Sequence, residues 1–281
     1  MMDRFFVTLQ RLLPHHLISR VTGWAARRRF KPFKNLLIGA FLRLYRINMS
    51  EAAITDPFAY PSFNDFFTRL LAPGARPLAG DAATLVSPVD GAVSQSGAIA
   101  AGQLLQAKGH EYAVDELLAA PGARFTSGHF ATIYLAPYDY HRVHMPLAGT
   151  LHSMRYVPGR LYSVGDATTR ILPGLFALNE RVIFEFRNEQ VGAFTLVMVG
   201  ALNVGSVTTV HAGDVMPLAD RKLRSWDYSE PVAFDRGDEL ARFNLGSTVI
   251  LLFEPGSIDP AESLAPGTRL RLGQQIARVV T

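Results

Sequence analysis

The chain has 281 residues, enough for a sizeable core in one large domain or one domain with an attached segment. At 48% hydrophobic and 19% charged it reads as globular and slightly apolar, and the absence of cysteine excludes disulfides and thiol chemistry. The net charge of +4 is unevenly spread: residues 1–50 hold ten Lys and Arg against one acid, Asp3, so they carry +9 and the remainder −5.

Residues 1–50 read as three short amphipathic helices. Phe5, Phe6, Leu9, Leu12 and Leu13 share one helical face, which Pro14 ends. Leu17, Ile18, Val21, Trp24 and Ala25 repeat the spacing. Phe33, Leu36, Leu37, Ala40, Phe41 and Leu44 form a third face, with Pro32 at its start. The longest uncharged run here, 35–42, is far short of the roughly 20 residues a bilayer span requires. No secretory cleavage pattern is present, and length and low Ser content argue against a transit peptide. Apolar faces beside Arg27-Arg28-Arg29-Phe30-Lys31 suit an anionic membrane surface; the alternative is a helical arm packed on the body. Nucleic-acid binding fits less well, because the apolar faces are large and the rest of the chain is acidic.

Ser62 caps a helix predicted over 62–71, with Phe63, Phe66, Phe67, Leu70 and Leu71 on one face and Pro73-Gly74 closing it. From Thr84 onward short strands alternate with turns: 84–86, 92–95, 130–135, 150–157, 182–187, 193–199, 204–210, 248–253 and 270–280. Residues 191–207 are uncharged, but Gly192, Gly200, Asn203 and Gly205 divide them into two core strands. Segments such as Pro88-Val89-Asp90-Gly91 and Pro266-Gly267-Thr268 are similar in architecture to the flattened barrels of biotinyl and lipoyl carriers, although no modifiable lysine stands in the matching place. The fold expected is α+β, with N-terminal amphipathic helices (1–50) followed by a β-rich catalytic domain of barrel-sandwich character (51–281).

Three places could carry chemistry. Gly246-Ser247 leads into the strand 248–253, and a serine hydroxyl beside a strained carbonyl could attack its own preceding peptide bond. Asp90 sits in an Asp-Gly turn. His141 and His144 stand three apart in a dense segment; an extended chain would point them to opposite sides and a helical turn to the same side. The two histidines with Asp90 could ligate zinc in a hydrolase. They could instead serve acid–base chemistry, with Ser247 as nucleophile, a histidine as base and Asp90 as orienter. No Gly-x-Ser-x-Gly elbow is present, which argues against an α/β-hydrolase. A non-enzymatic, membrane-bound binding module is the third reading.

Several motifs in order resolve this choice. Ser62-Phe63-Asn64-Asp65-Phe66-Phe67-Thr68-Arg69, Ser87-Pro88-Val89-Asp90-Gly91, Tyr140-His141-Arg142-Val143-His144-Met145-Pro146, Val157-Pro158-Gly159-Arg160-Leu161-Tyr162-Ser163-Val164, Asn179-Glu180-Arg181, the stretch 199–206 and Leu245-Gly246-Ser247-Thr248 together closely resemble the pyruvoyl-dependent phosphatidylserine decarboxylase family. Ala241-Arg242 departs from it where a glycine is expected. The resemblance implies a proenzyme peripheral to the cytoplasmic side of the cell membrane. In it Asp90 orients His144, His144 deprotonates Ser247, and the hydroxyl attacks the Gly246 carbonyl. β-Elimination of the resulting ester would give a beta chain of residues 1–246 and an alpha chain of 247–281, with a pyruvoyl group at position 247 after loss of ammonia. The resemblance further implies a Schiff base between that ketone and phosphatidylserine, with His141 as substrate contact or proton donor. It implies a homodimer and no metal.

Overall fold

In the computed structural model, which describes residues 2–202, 206–216, 220–244 and 248–280, the proline-punctuated N-terminal segment forms three helices. These are α1 (Met2–Leu12), α2 (His15–Ala26) and α3 (Lys31–Leu44). Pro14 separates the first pair, and Pro32 lies in the first turn of α3, where its missing N–H leaves no helical bond unmade. Each helix docks by one side only. Val7 and Gln10 of α1, His15 and Ala26 of α2 and Ile38 of α3 are buried, whereas Leu12, Leu17, Val21, Trp24, Leu36 and Leu44 are all more than half exposed. Gln10 fastens α1 from both ends of its amide: Nε2 donates to Thr168 Oγ1 at 3.1 Å, and Oε1 accepts the Ser163 N–H at 2.7 Å. Ile38 and Ala26 join Tyr60, Phe63, Phe66 and Phe67 in a small aromatic core. The chain is therefore both a packed arm and a carrier of outward apolar stripes.

Ser62 caps α4 (Phe63–Phe67) by accepting the Asp65 N–H at 3.1 Å. This helix is shorter than the sequence predicts. Beyond Thr68 the backbone turns to pair with residues 51–53, Ala53 N–H donating to Leu70 O at 2.8 Å and Ala72 N–H to Glu51 O at 2.8 Å. Leu70 is consequently half exposed instead of lying on a helical core face.

The strands are β1 (Thr84–Val86), β2 (Gly91–Ala98), β3 (Gln103–Ala107), β4 (His110–Ala113), β5 (His129–Tyr134), β6 (Arg142–His144), β7 (Gly149–Val157), β8 (Arg181–Asn188) and β9 (Gly192–Val199). They continue as β10 (Val207–Thr209), β11 (Gly213–Met216), β12 (Arg224–Phe234), β13 (Glu239–Phe243), β14 (Thr248–Phe253), β15 (Ile258–Pro260), β16 (Arg269–Leu270) and β17 (Gln275–Val279). The fold is α+β, as expected. An antiparallel eight-stranded sheet runs in the order β12-β7-β8-β9-β14-β5-β2-β16, a four-stranded sheet β11-β10-β13-β6, and a three-stranded sheet β1-β17-β15. All six residues of β14 are buried, as a strand covered on both faces requires.

Two strand expectations are corrected. The run 270–280 is two strands, because Gly273 turns the chain at φ +83° where an added Cβ would meet Pro77 O at 2.6 Å. The run 204–210 contributes only Val207–Thr209, and its first two residues lie outside the described residues.

Between the arm and the body, Asn179-Glu180-Arg181 act as stitching. Arg181 is buried and donates to the carbonyls of Glu116, Leu117, Ala177 and Asn179 at 2.6–2.9 Å. Glu180 is fully buried, accepts the Tyr156 hydroxyl, and has His16 of α2 3.6 Å away. Burial pushes the Glu180 carboxyl up to about 7, and burial, with nearby Arg221, pushes His16 below its ordinary value. Both shifts favour the uncharged forms and so weaken an ion pair between the two.

Two stability outcomes follow from these contacts. A carboxyl that holds its proton more tightly in the folded chain adds stability in acid, and the contribution is lost as pH rises through about 7. Buried histidines with lowered pKa act in the opposite sense, so the effect is read against Glu180→Gln: in urea denaturation between pH 5 and 8 the wild-type chain should lose about 3 kcal/mol relative to that variant. Gly128, just ahead of β5, has space for no side chain: an added Cβ would lie 1.9 Å from Phe253 O, a backbone atom of the central strand. Gly128→Ala should lower stability by roughly 1–3 kcal/mol, read as a shift in the denaturation midpoint.

Candidate active site

The site forms where the four-stranded and eight-stranded sheets meet. β13 lies against β6, with Glu239 opposite His144 and Arg242 opposite Arg142, and the Phe243 N–H donates to His141 O at 3.0 Å. Asn244 is then fixed to Ser206, its N–H donating to Ser206 O at 3.0 Å and its Nδ2 to Ser206 Oγ and Thr208 Oγ1, both at 2.8 Å. β14 starts at Thr248, paired with Tyr134 of β5 on one side and Val199 of β9 on the other. The link between these anchors is Leu245-Gly246-Ser247; Gly246 and Ser247, the expected scissile pair, lie outside the described residues.

The histidine segment is extended, so His141 and His144 face opposite sides of their strand, the first of the two geometries the spacing allows. His141 is fully buried and in ring contact with Phe67, 4.1 Å between centroids. Its Nδ1 is 2.8 Å from the Asp139 carbonyl, which can only accept, so Nδ1 carries the hydrogen and Nε2 the lone pair. That Nε2 is buried and has no hydrogen-bond partner among the described residues. Burial pushes His141 down to about 3, which keeps it neutral. His144 repeats the arrangement. Its Nδ1 donates to Gly237 O at 2.8 Å, leaving Nε2 to accept the Tyr140 hydroxyl at 3.2 Å, and burial lowers its pKa below the ordinary value of 6.5.

Asp90 is nearby in the chain path, because the His144 N–H donates to Pro88 O at 2.9 Å. Its carboxylate is nevertheless committed elsewhere. Arg76 grips it through Nε at 3.0 Å and Nη2 at 2.7 Å, and the Leu272 N–H donates to it at 2.8 Å. No hydrogen bond joins Asp90 to His144 among the described residues; the atom that orients His144 here is a backbone carbonyl. The structure thus bonds His141 to one anchor of the Gly246–Ser247 link, while His144 faces the other side of the same segment and Asp90 is held in an arginine clamp. It also supplies Tyr140 and Arg76, which sequence reasoning missed: Tyr140 stood only inside a quoted motif, and nothing local marks Arg76. A zinc centre is not supported. Among the described residues no three His, Asp or Glu side chains converge on one point.

Next to this junction is an apolar cavity of about 530 Å³ between the helical arm and the body. Ala25, Leu37, Phe41, Phe63, Phe67, Tyr134, Leu135, Val164 and Leu202 are among its lining residues, so it adjoins Tyr134, one of the two strand partners of Thr248.

Comparison with known proteins gives one consistent family. The family model described as phosphatidylserine decarboxylase matches residues 63–278, and one described as PSD matches residues 5–46. A phosphatidylserine decarboxylase proenzyme of Pseudomonas putida is 50% identical over 287 residues, covering 100% of this chain and 99% of that protein. The proteins of the same name from Shewanella denitrificans and Azotobacter vinelandii are 48% and 50% identical, each alignment covering 99% of this chain and 99% of the relative.

Proposed function

The chain belongs to the phosphatidylserine decarboxylase family, and from that premise we propose that it is a proenzyme which cuts itself between Gly246 and Ser247 and then converts phosphatidylserine to phosphatidylethanolamine. The observation that carries this reading is the pair of backbone anchors around Gly246-Ser247, Phe243 on His141 and Thr248 between Tyr134 and Val199. Anchors this close in sequence restrict the link to few conformations, which is what an intramolecular attack needs.

In this reading His144 is the base. Its Nε2 lone pair takes the Ser247 hydroxyl proton as Oγ attacks the Gly246 carbonyl, while Gly237 O holds the Nδ1 hydrogen. The lowered pKa keeps the imidazole neutral at neutral pH, and Nε2 takes the serine proton by exchanging the Tyr140 hydroxyl for that of Ser247. Asp90 takes part in orienting the imidazole only if its carboxylate exchanges the Arg76 clamp for Nδ1 of His144. The surroundings fit a pyruvoyl group made at residue 247, since His141 Nε2 and Thr248 Oγ1 are buried and lack partners among the described residues. Once formed, that group supplies an electron sink for the charge left when carbon dioxide departs. His141, neutral with its hydrogen on Nδ1, meets the substrate as an acceptor at Nε2 and returns a proton only after receiving one.

The apolar cavity beside Tyr134 suits acyl chains, and the outward stripes of α1–α3 suit the face of an anionic membrane. None of the described helices is long and apolar enough to cross one. Attachment would then be peripheral, through residues 1–50, at the cytoplasmic side that the family resemblance implies.

Intact mass under denaturing conditions tests the reading. Two chains matching 1–246 and 247–281, the smaller lighter by one ammonia than a serine-terminated peptide and carrying a ketone, are expected; Ser247→Ala should give one uncleaved, inactive chain. A wild-type protein that stays whole yet decarboxylates would overturn it. For attachment, Leu17, Val21 and Trp24 are the exposed row of α2. Replacing all three by Ser should cut co-sedimentation with phosphatidylglycerol-containing vesicles by about tenfold or more, with the melting temperature unchanged.

A further inference from the structure

Helix α4 separates two cavities of opposite character. Phe63 and Phe67 line the apolar one; Asn64, Asp65 and Thr68 line a second, of about 500 Å³. Four arginines line this second cavity, Arg27, Arg69, Arg142 and Arg242, against two carboxylates, Asp65 and Asp214. Both carboxylates are already engaged, accepting the Ser62 and Thr208 hydroxyls. Arg142 is paired with Glu239 at 2.6 Å and Arg27 donates to Ser206 Oγ at 3.0 Å. Arg242 has no ion pair among the described residues.

Arg69 is the anomaly. It is only 5% exposed, yet among the described residues its Nε and Nη1 are buried without a hydrogen-bond partner and its one side-chain bond is a long one from Nη2 to Tyr138 O at 3.4 Å. The guanidinium lies near the Phe66 ring, 5.9 Å from its centroid. No carboxylate forms an ion pair with it among the described residues, and burial lowers its pKa. A buried cation with two free donors is costly unless a ligand completes it, and a guanidinium fork matches two oxygens of one oxyanion. Buried polar groups that lack partners within the protein call for such an explanation.

The cavity also reaches the chain segment that leads to the proposed cleavage site. Asn244, three residues before Ser247, lines it and accepts a hydrogen bond from Asn64 at 3.2 Å. We propose that this arginine-lined cavity, through the two unpaired donors of Arg69, binds the phosphodiester of the phospholipid headgroup. The proposal rests on the decarboxylase reading. A phosphatidylserine headgroup offers two anions, and only one suits this place. The carboxylate must shed its charge as carbon dioxide, so pairing it with arginine would stabilise the ground state against reaction. The phosphodiester keeps its charge throughout and can be held without that penalty. Arg69 thereby becomes a specificity residue: it admits amines attached to a phosphodiester and disfavours free serine.

The test separates this proposal from the reading it rests on. Wild type, Arg69→Gln and Arg69→Lys are first weighed intact; self-cleavage establishes the decarboxylase reading and reports that the variant site is folded. Cleaved Arg69→Gln should raise KM for phosphatidylserine in mixed micelles by about tenfold or more with kcat changed much less, and Arg69→Lys should recover part of the loss. Glycerophosphoethanolamine should compete with substrate in the wild type, and about tenfold more weakly in Arg69→Gln. An unchanged KM in the cleaved variant overturns the proposal, as does inorganic phosphate competing as well as the diester, which would make this a free-phosphate site. If Arg69→Gln fails to cleave, Arg242→Gln decides on the same KM criterion. A wild-type chain that never cleaves defeats the decarboxylase reading itself.

Discussion

The register of β14 is the constraint on which the rest depends. Thr248 to Phe253 is bonded on both sides, to β5 and to β9, in an unbroken one-to-one ladder. All six side chains are buried, so a slip by one residue would break two ladders at once and repack both faces. The ladder therefore fixes where the chain must begin to be straight, and that point is the residue after Ser247. On the other side the end of β13 is fixed by the His141 backbone. The peptide proposed to be cut thus has a fixed strand end on either side of it.

Backbone carbonyls do much of the electrostatic work that side-chain charges do in other sites. Asp139 O and Gly237 O select the tautomers of the two histidines, and four carbonyls satisfy Arg181. Carbonyls do not titrate, so these orientations hold across the pH range in which carboxylates and imidazoles change charge. The carboxylates near the centre are clamped by arginines instead, Asp90 by Arg76 and Asp139 by Arg269. Both imidazoles are thus left neutral, the Nε2 lone pair of His141 without a partner among the described residues and that of His144 turned to the Tyr140 hydroxyl.

Much of this was legible in the sequence, for identifiable reasons. Proline marked the breaks between α1, α2 and α3, and Val-, Ile- and Phe-rich runs marked β5, β8, β9 and β14 within a residue or two, because those strands are largely buried and their composition says so. The strands that escaped notice are polar or short. β6 is Arg-Val-His, β12 carries Arg224, Asp227 and Glu230 along a sheet edge, and β3 is built of Gln, Leu and Ala, which have no strand preference. Their pairing comes from distant partners. His141, His144 and Asp90 were found because their residue types carry chemistry. The Arg76 clamp and the unpaired guanidinium of Arg69 could not be found that way, since an arginine in a sequence is surface until the fold buries it.

Chain ends normally lie at a protein's surface. A cut before Ser247 would create one immediately ahead of Thr248, which is 1% exposed at the head of a central strand. Ribosomal synthesis followed by folding has difficulty delivering a free terminus to such a place; folding first and severing afterwards does it directly. The 35 residues released from covalent linkage would not leave. β14 is held between β5 and β9, β16 pairs with β2, and β17 pairs with β1, so the fragment is woven into two sheets. Burial of Val249, Ile250, Leu251, Leu252 and Phe253 alone is worth on the order of 10 kcal/mol. The mature protein would be a split protein whose halves never met as strangers, and separating them should require unfolding the whole.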